Sequence, residues 1–137
     1  MREFFLPVRV YYEDTDAGGV VYYANYLRFM ERARTEWLRA LGFEQDVLAA
    51  EQGVIFAVRR VRLDFLRPAR FNDALRVSAR LLRRGRASLS FAQEVTREQG
   101  EHEPLCSGQV QIACVDARRF RPCPIPEPLL AVIPDVE

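Results

Sequence analysis

The feature that most constrains the fold of this chain is one long amphipathic helix near the N-terminus, followed by segments with strand-like alternation. Between residues 25 and 41 apolar side chains recur at helical spacing. We expect Asn25 to cap the start of this helix and Gly42 to end it in a left-handed conformation. The apolar face comprises Tyr26, Phe29, Met30, Ala33, Trp37, Ala40 and Leu41. Because this apolar face needs cover, a sheet packed against it is the predicted partner.

The rest of the chain predicts five strands, one before the helix and four after it. The first is expected at residues 4–12, and the second at 54–66 after a polar bridge at 44–53. In the second strand, Ile55, Ala57, Val61, Leu63 and Phe65 share one parity, and the adjacent Arg59 and Arg60 suggest a bulge. The last three strands alternate in polarity at 75–81, 89–95 and 106–114 and are separated by Gly-containing turns, which predicts antiparallel hairpins.

These elements predict a single α+β domain over residues 1–137. With 49% hydrophobic and 28% charged residues the composition is that of a folded globular protein. The tail from Arg118 contains five prolines, which argue against another central strand. A net charge of +1 gives no overall attraction to nucleic acid, so no nucleic-acid partner is expected.

Composition also limits the available chemistry. All 20 basic residues are arginine, which excludes a Schiff-base lysine. The one histidine, His102, is expected in a turn between strands, and no G-x-S-x-G elbow accompanies it. A histidine general base is therefore disfavoured, and carboxylates are the remaining candidates for a nucleophile or base.

The expected environment is cytoplasmic. Three cysteines without C-x-x-C spacing, Cys106, Cys114 and Cys123, favour a reducing compartment over a disulfide framework or a zinc site. Cys106 and Cys114 alternate with polar residues and should be buried, whereas Cys123 lies among prolines and should be exposed. The N-terminal residues lack a secretion signal, and no apolar run is long enough to span a membrane.

The segment before the helix carries the best candidate for a reactive group. Asp16 stands in a Gly-rich turn with Gly18 and Gly19, shortly before the predicted helix start. Unpaired backbone N–H groups and the positive end of the helix dipole gather at such a position. A carboxylate beside ready-made oxyanion donors is sufficient for ester or thioester hydrolysis.

The same segment resembles a known family. A D-x-x-G turn is followed by an aromatic-rich entry and an N-Y-x-x-x-x-E-x-x-R helix, with dense matching over residues 8–39. This combination resembles the hotdog-fold acyl-CoA thioesterases of the 4-hydroxybenzoyl-CoA thioesterase type, most closely the YbgC branch associated with the Tol-Pal system. The implied fold is a hotdog, a long central helix wrapped by a curved five-stranded antiparallel sheet.

The resemblance implies an acyl-CoA thioesterase acting on a short-chain or aromatic acyl group. Asp16 would be the nucleophile or general base, and the backbone N–H of Tyr23 would polarise the thioester carbonyl. Gly18 and Gly19 would shape the turn for substrate approach, with Tyr22 lining the substrate site. At Tyr23 the YbgC branch often has a histidine, so only the backbone donor carries over. Coenzyme A is then part of the substrate without a metal or separate cofactor, and the expected assembly is a homo-oligomer, a dimer or, preferably, a tetramer.

Several alternatives remain open at this point. Asp16 is also good turn chemistry, and Asp14 with Asp16 could form a weak metal-binding D-x-D pair. Glu31, Arg34 and Glu36 are most simply a solvated helix face or ion pairs, although Glu31 could take an active-site role. Arginine clusters at residues 59–62, 83–86 and 118–121 could hold phosphates or simply be surface. A non-catalytic ligand-binding module supporting a partner complex is the alternative function, whereas a dehydratase would need an aspartate and histidine pair.

Overall fold

The computed structural model describes residues 3–100 and 103–134, and these contain five strands and three α-helices. The strands are β1 (Glu3–Arg9), β2 (Val54–Phe65), β3 (Ala74–Arg84), β4 (Ser88–Arg97) and β5 (Pro104–Asp116). The helices are α1 (Tyr23–Ala40), α2 (Gln45–Gln52) and α3 (Glu127–Leu130). A short 3-10 turn covers Tyr12–Asp14.

The strands form one antiparallel sheet in the order β1-β3-β4-β5-β2. The predicted hairpins from β3 to β4 and from β4 to β5 are both present. β1 and β2 lie at the two ends of the sheet, so each of them has one edge without a neighbouring strand. The α+β prediction of one long helix with a five-stranded sheet is confirmed.

Helix α1 carries the apolar face that the sequence predicts. Phe29, Met30 and Ala33 are fully buried, and Trp37 meets Phe91 of β4 edge to face with ring centroids 5.0 Å apart. At the C-terminal end Gly42 has a φ of 98°. The N–H groups after the helix donate hydrogen bonds to the carbonyl oxygens of Leu38 and Arg39, as in a Schellman motif. The predicted role of Gly42 is therefore confirmed.

The N-terminal part differs from the prediction in two places. α1 begins at Tyr23, so Asn25 lies inside the first turn instead of capping it. β1 ends at Arg9, and Tyr12 lies in the 3-10 turn rather than in a strand. Hydrogen bonds around Asp14, from both side chains and backbone, set where β1 ends and where α1 begins. Sequence periodicity does not reveal these bonds.

The polar bridge predicted at residues 44–53 is wrong, because this segment contains helix α2. Its one fully covered apolar side chain is Leu48, which joins the core, and Gly53 ends the helix with a φ of 68°. The apolar residues of this two-turn helix are consecutive, so its sequence shows no clear amphipathic pattern.

The bulge suggested near Arg59 is present, and it corrects the predicted parity of β2. The pairing with β5 shifts between Val58 and Arg60. Before the shift Phe56 and Val58 pair with the buried Cys114 and Ile112, and after it Val61 pairs with the buried Val110. An extra residue reverses the alternation, so Phe56 and Val58, rather than Ile55 and Ala57, share a sheet face with Val61.

After β5 the chain adds no further sheet strand within the described residues, as the prolines predict. Ile125, Leu129 and Ile133 pack into the core from this C-terminal segment. In the part of the chain that the structure describes, none of the helices combines the length and apolar character needed to cross a lipid bilayer.

Candidate active site

The candidate site is built on a small hairpin that joins the 3-10 turn to α1. Thr15 and Val21 pair across this hairpin, and Asp16 N–H donates to Val20 carbonyl oxygen at 2.9 Å. Val21 N–H also donates to the carbonyl oxygen of Ala69, at 2.8 Å, which anchors the hairpin to the segment between β2 and β3. The residues that the sequence predicts as reactive therefore sit on a tethered turn.

At the tip of this hairpin the Asp16 side chain is exposed to solvent. Its Oδ1 accepts a hydrogen bond from Gly18 N–H at 2.8 Å, so part of the carboxylate is oriented by its own turn. Gly19 has a φ of 79°, a conformation that favours glycine. A Cβ at Gly18 would lie 3.2 Å from Asp16 Oδ1, which is a tight contact. Gly18 therefore orients the Asp16 carboxylate, and Gly19 gives the turn its backbone conformation.

Asp14 behaves differently from Asp16, although only one residue separates them. Its side chain is 6% exposed, and its two oxygens accept 2.8 Å hydrogen bonds from Tyr11 N–H and the Asn25 side-chain amide. The Asp14 carbonyl oxygen also accepts from Tyr22 N–H at 2.9 Å. Asp14 therefore links the 3-10 turn to the start of α1, and its carboxylate is engaged in that structure. This favours the structural interpretation of Asp14 over a D-x-D metal pair.

Tyr23 is the first residue of α1, with Tyr22 as the residue before it. Because no carbonyl one turn earlier in the helix can receive it, the Tyr23 N–H is one of the free donors of a helix start. No side chain caps this end of α1. The hairpin thus presents a carboxylate and a helix N-terminus from consecutive parts of the chain.

The three tyrosines at the start of α1 divide into two groups. Tyr26 is buried, and its hydroxyl accepts a 3.1 Å hydrogen bond from Ala69 N–H. Burial raises the pKa of Tyr26. Tyr22 and Tyr23 are 46% and 61% exposed, with ring centroids 4.8 Å apart, and a hydrogen bond with Tyr23 raises the pKa of Tyr22. Tyr23 also meets Phe65 of β2 at 6.1 Å, so these rings form an exposed aromatic surface next to the helix start.

The prediction of a solvated face for Glu31, Arg34 and Glu36 is wrong for Arg34. The Arg34 side chain is buried and donates to Gln93 Oε1 at 2.9 Å. Gln93, fully buried on β4, donates in turn to the carbonyl oxygens of Met30 and Ser78. Burial lowers the pKa of the Arg34 guanidinium. Glu31 accepts from Thr35, and Glu36 pairs with Arg39, as expected of an exposed helix face.

Arg34 and Glu31 line a cleft of about 130 Å³ between α1 and β2, whose apolar wall includes Trp37, Phe56 and Phe91. The sequence pattern missed the Arg34–Gln93 pair because an arginine on a helix usually lies in solvent. The only sequence signal for its partner Gln93 was that this glutamine occupies an apolar position in the alternating pattern of β4.

His102 lies outside the described residues. Within residues 3–100 and 103–134, no group of three or more histidine, cysteine, aspartate or glutamate residues is arranged to hold a metal ion.

Comparison with known proteins gives the family. The family model of the thioesterase-like superfamily matches residues 10–133. The chain belongs to this superfamily. It is 43% identical over 128 residues to an acyl-CoA thioesterase YbgC from Haemophilus influenzae, covering 93% of this chain and 92% of that protein. It is 32% identical to a 1,4-dihydroxy-2-naphthoyl-CoA hydrolase from Thermosynechococcus vestitus, covering 89% and 82%.

Among solved structures, the chain matches a mutant of 4-hydroxybenzoyl-CoA thioesterase in complex with 4-hydroxybenzoyl-CoA. The TM-score is 0.88, at 19% identity, and the match covers 96% of this chain and 99% of that one. At this identity the match concerns the fold alone, and it confirms the hotdog architecture. The family resemblance inferred from residues 8–39 is confirmed and extends to most of the chain.

Proposed function

We propose that this protein is an acyl-CoA thioesterase in which Asp16 drives hydrolysis and the Tyr23 N–H stabilises the oxyanion. The observation that carries the proposal is the tethered hairpin, which leads into the N-terminus of α1 and holds an exposed, oriented carboxylate. Membership of the thioesterase-like superfamily supports thioester hydrolysis as the reaction. The names of the relatives, an acyl-CoA thioesterase and an acyl-CoA hydrolase, support coenzyme A as the carrier.

In this mechanism the substrate carbonyl oxygen accepts a hydrogen bond from Tyr23 N–H. Developing negative charge on that oxygen is stabilised by the N–H and by the positive end of the α1 dipole. Asp16 Oδ2, whose partner Oδ1 is held by Gly18, attacks the thioester carbon or removes a proton from an attacking water molecule. The coenzyme A thiolate leaves. If Asp16 was the nucleophile, water then hydrolyses the acyl anhydride formed on Asp16, and in both routes the free acid is released and the Asp16 carboxylate is regenerated. No metal or separate cofactor takes part.

We propose that the acyl group of the substrate is short-chain or aromatic and lies against Tyr22. Tyr22 and Tyr23 are exposed and in contact, with their rings tilted by 47° to each other, which gives an aromatic surface beside the helix start. The aromatic substrate named for the Thermosynechococcus relative favours a ring-sized acyl group. Gly18 and Gly19 leave the approach to Asp16 free of side chains.

We further propose that the chain acts as a homo-oligomer, with β2 forming the dimer contact. β2 is at the end of the sheet, and the side chains of Val58 and Val61 are 52% and 39% exposed on the face that carries α1. An unpaired edge with exposed apolar side chains favours pairing with a second copy. Antiparallel pairing of two β2 strands would set the two α1 helices antiparallel. Two such dimers would make the favoured tetramer.

The decisive experiment compares the wild-type protein with Asp16→Asn on a panel of short aliphatic, long aliphatic and aromatic acyl-CoAs. Asparagine keeps an oxygen for the Gly18 N–H, so the turn should persist while the charge is lost. We expect kcat to fall about 100-fold or more, with little change in melting temperature. Asp46→Asn, an exposed aspartate on α2, is the matched control and should retain turnover.

Retained turnover in folded Asp16→Asn would exclude the proposed role of Asp16. A folded wild-type protein without activity on any member of the panel would instead favour the non-catalytic binding module.

A further inference from the structure

Two cysteines outside the candidate site lie against each other. The Sγ atoms of Cys114 and Cys123 are 3.8 Å apart, and both thiols are free. Cys114 lies near the end of β5, whereas Cys123 lies in the C-terminal segment that follows it. Cys123 is half-buried against the core rather than exposed, which corrects the expectation from its proline-rich surroundings. The mechanism proposed for the Asp16 hairpin uses neither thiol.

The backbones that carry these thiols are already paired. Val115 and Pro122 form an antiparallel bridge, which sets Cys114 directly opposite Cys123. Cys123 N–H donates to the Cys114 carbonyl oxygen at 2.9 Å. Residues opposite each other in antiparallel pairing have Cα atoms roughly 4.5–5.5 Å apart, and disulfides span Cα separations of roughly 4.4–6.8 Å. A bond between the two sulfurs therefore needs side-chain rotation without a large backbone movement.

We propose that Cys114 and Cys123 are an oxidative modification site, which a peroxide converts into a reversible disulfide within one chain. Independently of the proposed thioesterase activity, this disulfide would fasten the C-terminal segment to β5. The segment contributes Ile125, Leu129 and Ile133 to the core, so its attachment bears on the stability of the whole domain.

The order of the chemical steps follows from exposure. Cys123 is the more accessible thiol, so hydrogen peroxide oxidises it first to a sulfenic acid and releases one water molecule. The Cys114 sulfur then attacks the sulfenic sulfur, loses its proton and expels a second water molecule. In total two thiols give up two electrons and two protons, and one peroxide is reduced to two water molecules.

The surroundings of each thiol assign these roles. Burial and the neighbouring Cys123 raise the pKa of Cys114 to about 12, so Cys114 is a poor first target for an oxidant. Its contact with Cys123 still makes it the group that captures a sulfenic acid formed there. Cys106 is fully buried on β5, and burial raises its pKa to about 12 as well. In the described residues Cys106 has no neighbouring thiol, which makes it the internal control.

The test treats the folded full-length protein with hydrogen peroxide, blocks the remaining thiols under denaturing conditions and maps the peptides by mass spectrometry. We expect Cys114 and Cys123 to be lost together in one cross-linked peptide pair with two fewer hydrogen atoms, while Cys106 is blocked. Dithiothreitol should restore both thiols. Because the bond closes a loop in the unfolded chain, the oxidised protein should melt several degrees higher than the reduced protein.

Three variants make the result specific. Cys123→Ser and Cys114→Ser should each abolish the cross-link, whereas Cys106→Ala should form it as the wild type does. The proposal is overturned if Cys123 is oxidised to a sulfinic acid while Cys114 stays free. It is equally overturned if the disulfide joins two chains or includes Cys106. None of these readouts depends on turnover, so the proposed function and this inference can fail separately.

Discussion

The Asn25 side-chain amide donates a 2.8 Å hydrogen bond to Asp14 Oδ1, and this bond joins the first turn of α1 to the 3-10 turn before the Asp16 hairpin. Both side chains are 6% exposed, so the bond lies largely out of water. The hairpin that carries Asp16 lies in the chain between Asp14 and Asn25. The position of Asp16 relative to the helix N-terminus therefore depends on this pair.

Removing the amide should weaken both the fold and catalysis. Asn25→Ala leaves one oxygen of a buried carboxylate without its partner, which costs about 1–3 kcal/mol of unfolding free energy. We also expect kcat to fall, because the hairpin loses its link to α1. Chemical denaturation and steady-state turnover measure the two effects. Arg28→Ala, at an exposed position in the next turn of α1, is the control and should change stability by less than about 0.5 kcal/mol.

The two glycines of the hairpin should respond differently to alanine. Gly19→Ala places a side chain at a positive φ, which costs about 1–2 kcal/mol and lowers the melting temperature. Gly18→Ala meets no such backbone strain but pushes on Asp16 Oδ1 from 3.2 Å, so turnover should fall with a smaller loss of stability. Melting curves and kcat for both variants check this contrast. Equal losses of stability, with turnover unaffected in Gly18→Ala, would contradict it.

The buried pair Arg34–Gln93 should show strong coupling. Gln93→Leu removes the only described acceptor of the Arg34 guanidinium, and Arg34→Met leaves Gln93 Oε1 without its donor. Each single change should lower the unfolding free energy by about 3 kcal/mol, because it leaves a buried polar group unpaired. The double variant should lose less than the sum of the two. A double-mutant cycle from denaturant melts measures this coupling, and strictly additive losses would argue against it.

If β2 forms the dimer contact, a charged residue introduced on this strand should weaken the assembly. Val61→Asp places a carboxylate on the proposed dimer contact, so sedimentation should show a smaller particle than for the wild type. Val132→Asp is a matched control, since Val132 is 42% exposed and Val61 is 39% exposed, but Val132 lies in the C-terminal segment. A wild-type protein that sediments as a monomer, or a Val61→Asp protein that assembles normally, would exclude β2 as the contact.

Much of the fold follows from local pattern. Helix α1 and the hairpins of β3, β4 and β5 were predictable from their patterns. An apolar stripe at helical spacing indicates an amphipathic helix, and regular alternation of polar and apolar residues indicates a strand with one buried face. The elements that sequence reasoning missed are those whose pattern is weak or interrupted. α2 has one fully covered apolar side chain, Leu48, and the bulge near Arg59 reverses a parity that unbroken alternation would have kept.

Composition and one short motif were enough to indicate the chemistry available to this protein and its family. With no lysine and one histidine, a carboxylate was the natural candidate, and the turn of Asp16, Gly18 and Gly19 before a helix marked its place. The role of each polar side chain, in contrast, depends on contacts made in the folded chain. Asp14 and Asp16 look alike in sequence, yet a bond from Asn25 engages one and leaves the other exposed. Arg34 is likewise buried against a residue far along the chain, and Cys123 is half-buried against a cysteine on a neighbouring strand. Their burial could not be predicted, because it is set by packing between elements and not by local pattern.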